Sequence, residues 1–323
     1  MDRFDSSPET ALQWHRDGVG AALATVVQTW GSAPRRVGAQ LAVGGDGRIE
    51  GSVSGGCVEG AVIVEALEAI DDGRHRMLEF GVSDDDAFAV GLACGGTIRI
   101  FVEPVGPALP VDMLEDLVQA RAMRTALAYE VNTRTGDRRL VRGGYPDRMR
   151  MDRSGFEEDG VTFVAVHNPP LRLIVVGAVH IAQALVPMAR IAGYDAVLID
   201  PRDAFAASDR FPGETILRDW PDEAVAQLGL DTRTALVLLT HDPKLDDPAL
   251  QAALAAEVFY IGALGSTRTH AKRVDRMTAA GFTEAQIARI HGPVGLDIGA
   301  AGPAEIAVSI LAQMTGVLRG RVS

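Results

Sequence analysis

The sequence predicts an α/β chain of two domains: an N-terminal mixed α+β domain followed by a doubly wound parallel-sheet domain. Three observations predict it. At 323 residues the chain exceeds the usual reach of one hydrophobic core. A proline pair in His167-Asn168-Pro169-Pro170 interrupts regular structure and divides the chain into residues 1–168 and 169–323. Before that break the text is rich in glycine and short strands. After it, continuous apolar strands alternate with helices, the pattern of a parallel sheet covered on both faces.

In the first domain, Gly20 to Gln28 is an apolar, β-favouring run. Gln40 to Val43 and Ile49 to Val53 are short strands joined by Gly44-Gly45-Asp46-Gly47, a hairpin signal with Asp-Gly at its tip. A helix is expected from Val58 to about Ile70, then strands around Arg74 to Phe80 and Thr97 to Val102. A softer break at Val105 to Pro110 precedes a helix over Val111 to Arg121. Strands follow near Ala126 to Asn132, Arg138 to Arg142 and Val161 to Val166.

In the second domain the expected strands are Leu171 to Val176, Ala196 to Ile199, Ala235 to Thr240 and Val258 to Ile261. Helices are expected over Ile181 to Ala192 and Thr269 to Ala280, and a further one starting near Asp246. Ala307, Ile310, Leu311, Met314 and Leu318 repeat at helical spacing, which makes Met314 a core residue rather than a ligand.

Composition excludes several classes of function. The net charge of −12 opposes nonspecific attraction to nucleic acid or to an anionic membrane surface. No apolar run is long enough to span a bilayer, and residues 1–9 are polar and acidic rather than signal-like. Two cysteines are too few for a disulfide framework, so a reducing, cytoplasmic location is expected. The seven histidines are scattered without metal-ligand spacing, which argues against a zinc site.

The most informative segment is Ser54-Gly55-Gly56-Cys57-Val58-Glu59-Gly60. Paired glycines permit positive φ and close approach to the backbone. A thiol at a helix start faces free N–H groups and the positive end of the helix dipole. Cys94 has a similar setting in Ala93-Cys94-Gly95-Gly96. The alternative for both is a pair of small buried residues, since free cysteine is among the most buried types. Arg35 and Arg36 lie on a proline-bearing loop between two strands, where an arginine pair can clamp a phosphate or simply be solvated.

In the second domain, Gly177-Ala178-Val179-His180 stands where the dinucleotide fingerprint is expected, with Asp200 about twenty residues on. Val179 replaces the second glycine, and its branched side chain should obstruct close approach by a pyrophosphate. Asp200 and Arg202 sit at a strand's carboxyl end, either to contact a ligand or to pair with one another across the loop. His241 can likewise serve a ligand or cap the next helix. Gly265, Ser266 and Arg268 open a helix whose first turn is a ready anion site, or an ordinary capped loop.

Together these segments resemble the xanthine dehydrogenase accessory (XdhC/CoxI) family over almost the whole chain. The resemblance rests on residues 31–35, 51–59 and 94–96 in the first half. In the second it rests on 200–202, 240–242, 260–266 and 292–299. It implies an XdhC/CoxI-type N-terminal domain, a Rossmann C-terminal domain and a role in maturing molybdenum hydroxylases. The expected activity is that of a cofactor chaperone rather than a turnover enzyme. Such a protein binds molybdenum cofactor (molybdopterin or its dinucleotide form), protects its sulfurated form and delivers it to an apo molybdenum hydroxylase. A cysteine desulfurase and a second copy of the chain are further candidate partners.

On that reading Arg35, Gly55, Gly56, Cys57, Cys94, Gly177, Asp200, Arg202, His241, Gly265, Ser266 and Arg268 are the candidate cofactor contacts. Cys57 and Cys94 are the candidate ligands to molybdenum or its sulfur. Two other functions compete: an NAD(P)-dependent oxidoreductase built on the Rossmann half, and a scaffold that docks its client through an acidic surface. Val179 argues against NAD(P).

Overall fold

The computed structural model describes residues 6–31, 35–81 and 96–322. Residues 1–169 and 170–323 form two compact units.

The first unit is built on antiparallel strands. Its elements are α1 (Ser7–Arg16), β1 (Ala21–Trp30), β2 (Gln40–Gly44), β3 (Ile49–Gly51), α2 (Glu59–Asp72), β4 (Arg76–Phe80) and β5 (Thr97–Pro104). There follow α3 (Val111–Ala122), β6 (Leu127–Asn132), β7 (Arg138–Val141), α4 (Pro146–Met151), β8 (Gly155–Phe156) and β9 (Thr162–His167). One sheet runs β3-β2-β1-β5-β4 and a second β7-β6-β9-β8.

β1 reads as a continuous apolar run because both of its faces are covered. Ala22, Ala24 and Val26 face α2, packing with Val62, Ala66 and Ala69. Ala21 and Leu23 face the other way, into a core shared with Leu12 of α1, Leu114 and Leu117 of α3, and Phe163 of the second sheet. The period of two along a strand sends alternate residues to these two cores.

The helix α1 was not expected from the polar start of the chain. Pro8 suits its first turn, and Ala11 and Leu12 are buried beneath it. β3 ends at Gly51, short of the expected Val53, for a backbone reason. Gly51 takes φ 91°, and a Cβ there would lie 2.4 Å from the Gln40 carbonyl oxygen.

The second unit is a six-stranded parallel sheet flanked by helices. Its elements are β10 (Arg172–Val176), α5 (His180–Ile191), β11 (Asp195–Ile199), β12 (Thr215–Leu217), α6 (Pro221–Leu228), β13 (Thr234–Leu238) and α7 (Pro243–Ala255). The chain continues through β14 (Tyr260–Ala263), α8 (Thr267–Ala279), α9 (Glu284–Ile287), β15 (Ile290–His291) and α10 (Pro303–Leu318). The strand order β12-β11-β10-β13-β14-β15 reverses direction at β10, the doubly wound arrangement.

Leu173 and Val175 of β10 face α5 and α10, in a core that holds Leu185, Ile310 and Met314. Ile174 and Val176 face α6 and α7, with Val225, Leu250 and Leu254. Burial on both sides explains why this strand has no polar alternation. β12, α6 and β15 were not anticipated: the two strands are three and two residues long, too short to carry a period.

Candidate functional site

Each unit places candidate residues on a loop next to a helix start. In the first unit the organiser is Glu59, the first residue of α2, a position where an acid complements the helix dipole. Its carboxylate reaches back over the preceding loop. It accepts the N–H of Ser54 at 2.9 Å, the hydroxyl of Ser52 at 2.8 Å and the N–H of Gly56 at 2.8 Å, and also the Ser54 hydroxyl. Ser54 Oγ in turn accepts the N–H of Val58 at 2.9 Å, and Ser52 Oγ that of Gly55 at 2.9 Å.

Burial disfavours the charge on Glu59, but the hydrogen bonds from Ser54 and Ser52 outweigh it and hold the carboxyl down to about 2. Gly55 and Gly56 take φ 74° and 112°, which the turn requires and which an L side chain resists. Among the described residues, nothing lies within 4 Å of where a Cβ on Gly56 would stand.

Cys57 follows directly. It is a free thiol, half-buried, packed at the margin of the α2 core. The helix begins two residues after it, so the thiol precedes the first turn instead of capping it. Arg35 comes to the same loop from the β1–β2 connection, where its Nε donates to the Ser52 carbonyl at 3.0 Å. The structure thus docks Arg35 on the loop that carries Gly55, Gly56 and Cys57. Cys94 and Gly95 lie outside the described residues; Gly96, which precedes β5, is buried.

In the second unit the candidates gather at the carboxyl edge of the parallel sheet, where ligands of doubly wound folds bind. Gly177 follows β10 at φ 113°, and a Cβ there would lie 2.9 Å from Thr240 Cγ2 beyond β13. Asp200, fully buried, accepts four N–H groups. These are Ala178 N at 2.8 Å, Arg202 N at 3.0 Å, Arg202 Nε at 2.8 Å and Arg202 Nη2 at 2.7 Å.

Of the two roles expected for Asp200 and Arg202, the geometry displays the mutual pair. While it is closed, the carboxylate has no lone pair left for a ribose or pterin donor. Burial opposes the charge of Asp200, but the bonds from Arg202 and Ala178 outweigh it and keep the carboxyl below its ordinary range. The Arg202 guanidinium also lies over the Phe205 ring, 4.0 Å from its centre. Val179 forms the extended N-cap of α5, half-buried against the core beside that helix.

His241, exposed and at φ 61°, does not cap the next helix. That task belongs to Asp242, whose Oδ1 accepts the N–H of Lys244 at 2.9 Å, so α7 starts at Pro243 rather than near Asp246. Ser266 caps α8, accepting the N–H of Thr269 at 3.2 Å. Gly265 takes φ 133°, with Thr269 Cγ2 2.9 Å from where its Cβ would stand.

His241 and Arg268 line one cavity of about 230 Å³ together with Asp246, Lys272, Arg273 and Arg276. Gly177, Asp200 and Arg202 are not among its walls. Thr240 links the two clusters, since it packs against Gly177 and its hydroxyl donates to Asp246 Oδ1 at 2.6 Å. Glu59 in the first unit and Lys272, Arg273 and Arg276 of α8 in the second are site features beyond the expected contacts, of which Arg268 is one. The signals were present: an acid at a helix start, and cations at 268, 272, 273 and 276, which fall on adjacent rows of a helix.

Residues 14–81 match the model of the XdhC and CoxI family, and residues 173–314 match that of the XdhC Rossmann domain. The chain is 35% identical to the molybdenum cofactor insertion chaperone PaoD of Escherichia coli (strain K12), over 95% of this chain and 86% of PaoD. It belongs to the XdhC and CoxI family. A further relative, a probable xanthine dehydrogenase subunit of Bacillus subtilis (strain 168), is 28% identical over 97% of each chain. The fold is shared with a crystal structure of a xanthine dehydrogenase from Bacillus halodurans. That likeness has a TM-score of 0.71 at 24% identity, covering 98% of this chain and 96% of the other. Among the described residues no helix is long and apolar enough to cross a membrane.

Proposed function

We propose that this XdhC/CoxI family member binds molybdenum cofactor as cargo and inserts it into an apo molybdenum hydroxylase. The observation that carries the reading is that a guanidinium docks on the preorganised loop that also bears a thiol. Arg35 hydrogen-bonds Ser52, Cys57 lies five residues on, and Glu59 ties the turn between them. The donor set fits the cargo. A guanidinium suits its phosphate, and a thiolate is the soft ligand that molybdenum or its terminal sulfur prefers. Similarity to PaoD along nearly the whole chain supports the same role.

The finer reading is that the half-buried thiol shields the sulfurated form until transfer. A cysteine desulfurase supplies the sulfur and a second copy of the chain shares the task. The cargo is molybdopterin or its dinucleotide form, and NAD(P) is not part of the function.

The test is retention. Purified protein mixed with molybdenum cofactor and passed through an ultrafilter should hold it stoichiometrically and then activate an apo hydroxylase. Passage of the cofactor into the filtrate sinks the proposal.

A further inference from the structure

The cavity between the His241 loop and α8 has the composition of an anion site, and it lies away from the altered fingerprint at Val179. Arg273 is its most informative wall. The residue is only 2% exposed, yet among the described residues only Nη2 of its guanidinium nitrogens has an acceptor, the Leu264 carbonyl at 2.9 Å. Nε and Nη1 are buried without a partner among those residues. A buried guanidinium with unused donors is costly unless something anionic completes it.

The surroundings supply more positive charge. Arg268 and Lys272, four residues apart, stand on one face of α8 and line the same cavity. The first-turn N–H groups of α8 lack intrahelical acceptors, and Ser266 takes only that of Thr269. Arg276 is already engaged, with Nη2 on Asp247 Oδ1 at 2.9 Å. Among the lining residues one carboxylate opposes an anion, Asp247 nearby being already paired with Arg276. Asp246, 2% exposed, accepts from Thr240 and makes no ion pair with Arg273 among the described residues. Burial, only partly offset by Thr240 and Arg273, pushes the Asp246 carboxyl up and so weakens that opposition. Three uncommitted cations outweigh one reluctant anion.

We propose that this cavity binds a phosphate monoester, with Arg273 as its floor, Arg268 and Lys272 as its rim and the first turn of α8 as its dipole. Its volume of about 230 Å³ admits a phosphate head. It falls short of the roughly 300–1,000 Å³ of pockets that enclose drug-sized ligands. The rest of the ligand therefore extends outside. The cavity shares His241 and Arg268 with the candidate cofactor contacts, but its test is independent of the cargo: a chain that failed to retain molybdenum cofactor would still bind phosphate here.

The full chain is titrated calorimetrically with inorganic phosphate at constant ionic strength, chloride serving as the reference anion. Saturable binding is expected, weakened about tenfold or more in the double variant Arg268→Ala/Lys272→Ala, whose exposed positions spare the fold. Arg273→Gln should abolish it. No saturable binding by the unmodified protein, or undiminished binding by the double variant, overturns the proposal. A nucleoside 5′-monophosphate that binds more tightly than inorganic phosphate supports the proposal and identifies a nucleotide as the carrier. Equal affinity supports it with the bare monoester as the recognised group.

Discussion

Glu59 accepts the backbone N–H of Gly56 at 2.8 Å, so the first residue of a helix fixes the peptide that leads into Cys57. The carboxylate does what a side-chain cap usually does from the other direction: Val58, the residue at the N-cap, offers no side-chain acceptor. The thiol is placed by a hydrogen-bonded loop as well as by its own packing at the margin of the α2 core.

Replacing that carboxylate tests the placement. Glu59→Gln keeps the shape but turns one acceptor into a donor facing Ser54 and Gly56. A loss of roughly 1–3 kcal/mol is expected in urea unfolding. Since the carboxyl is held near 2 against an ordinary 4.5, its contribution is complete above about 4.5 and lost as pH falls towards 2. The variant should therefore lose this part of the acid dependence.

Cys57→Ala separates the two readings of the thiol. Its side chain is only half-buried, so unfolding should shift by about 1 kcal/mol or less. Cofactor retention and hydroxylase activation should fall sharply. Unchanged activation would return Cys57 to a packing role.

Asp200→Asn leaves Arg202 without its carboxylate and turns two of the four accepting positions into donors. Arg202 is 35% exposed and can turn to water, so a loss of about 1–3 kcal/mol is expected in thermal unfolding. Arg202→Ala should cost more, about 3–5 kcal/mol, because it strands the carboxylate in a fully buried position.

Two buried groups should give the first unit opposite pH slopes. Burial, assisted by the charge of Arg121, pushes His167 down to about 3, and its Nε2 has no partner among the described residues. The unfolded chain takes up that proton first, so stability is lost as pH falls from 6.5 towards 3. Glu103, pushed up to about 7 by burial against the pull of Arg138 and Tyr129, holds its proton more tightly when folded and regains stability as pH falls from 7 to 4.5. In urea midpoints measured from pH 7 to 5, His167→Leu should lessen the loss on acidification and Glu103→Gln should deepen it.

The oxidoreductase alternative has a direct check. NADH fluorescence should change little on titration with this protein, because Val179 stands where a glycine admits the pyrophosphate. Enhancement saturating at micromolar cofactor would contradict that expectation.

Much of this molecule was legible in its residues because the signals were local and periodic. β10 carries an unbroken apolar run from Leu173 to Val176, and Asp46-Gly47 announces its hairpin. The helix capped by Ser266 starts directly after its cap, at Thr267, two residues before the expected Thr269. Elements without such signals were missed: α1 hides in a polar stretch, and β12 and β15 pair as two or three residues whose only support is the neighbouring strand.

The candidate site divides along the same line. The family, the doubly wound order of the second half and the positions of Cys57, Arg35 and Asp200 are readable from residue order, since each sits in a motif whose residue types constrain one another. What those residues touch is set by the folded chain. That Glu59 ties the Cys57 loop, that Asp200 spends its lone pairs on Arg202 and Ala178, and that Arg273 is buried with unused donors depend on side-chain directions and burial. Those quantities are set by packing among segments distant along the chain, and no local pattern encodes them.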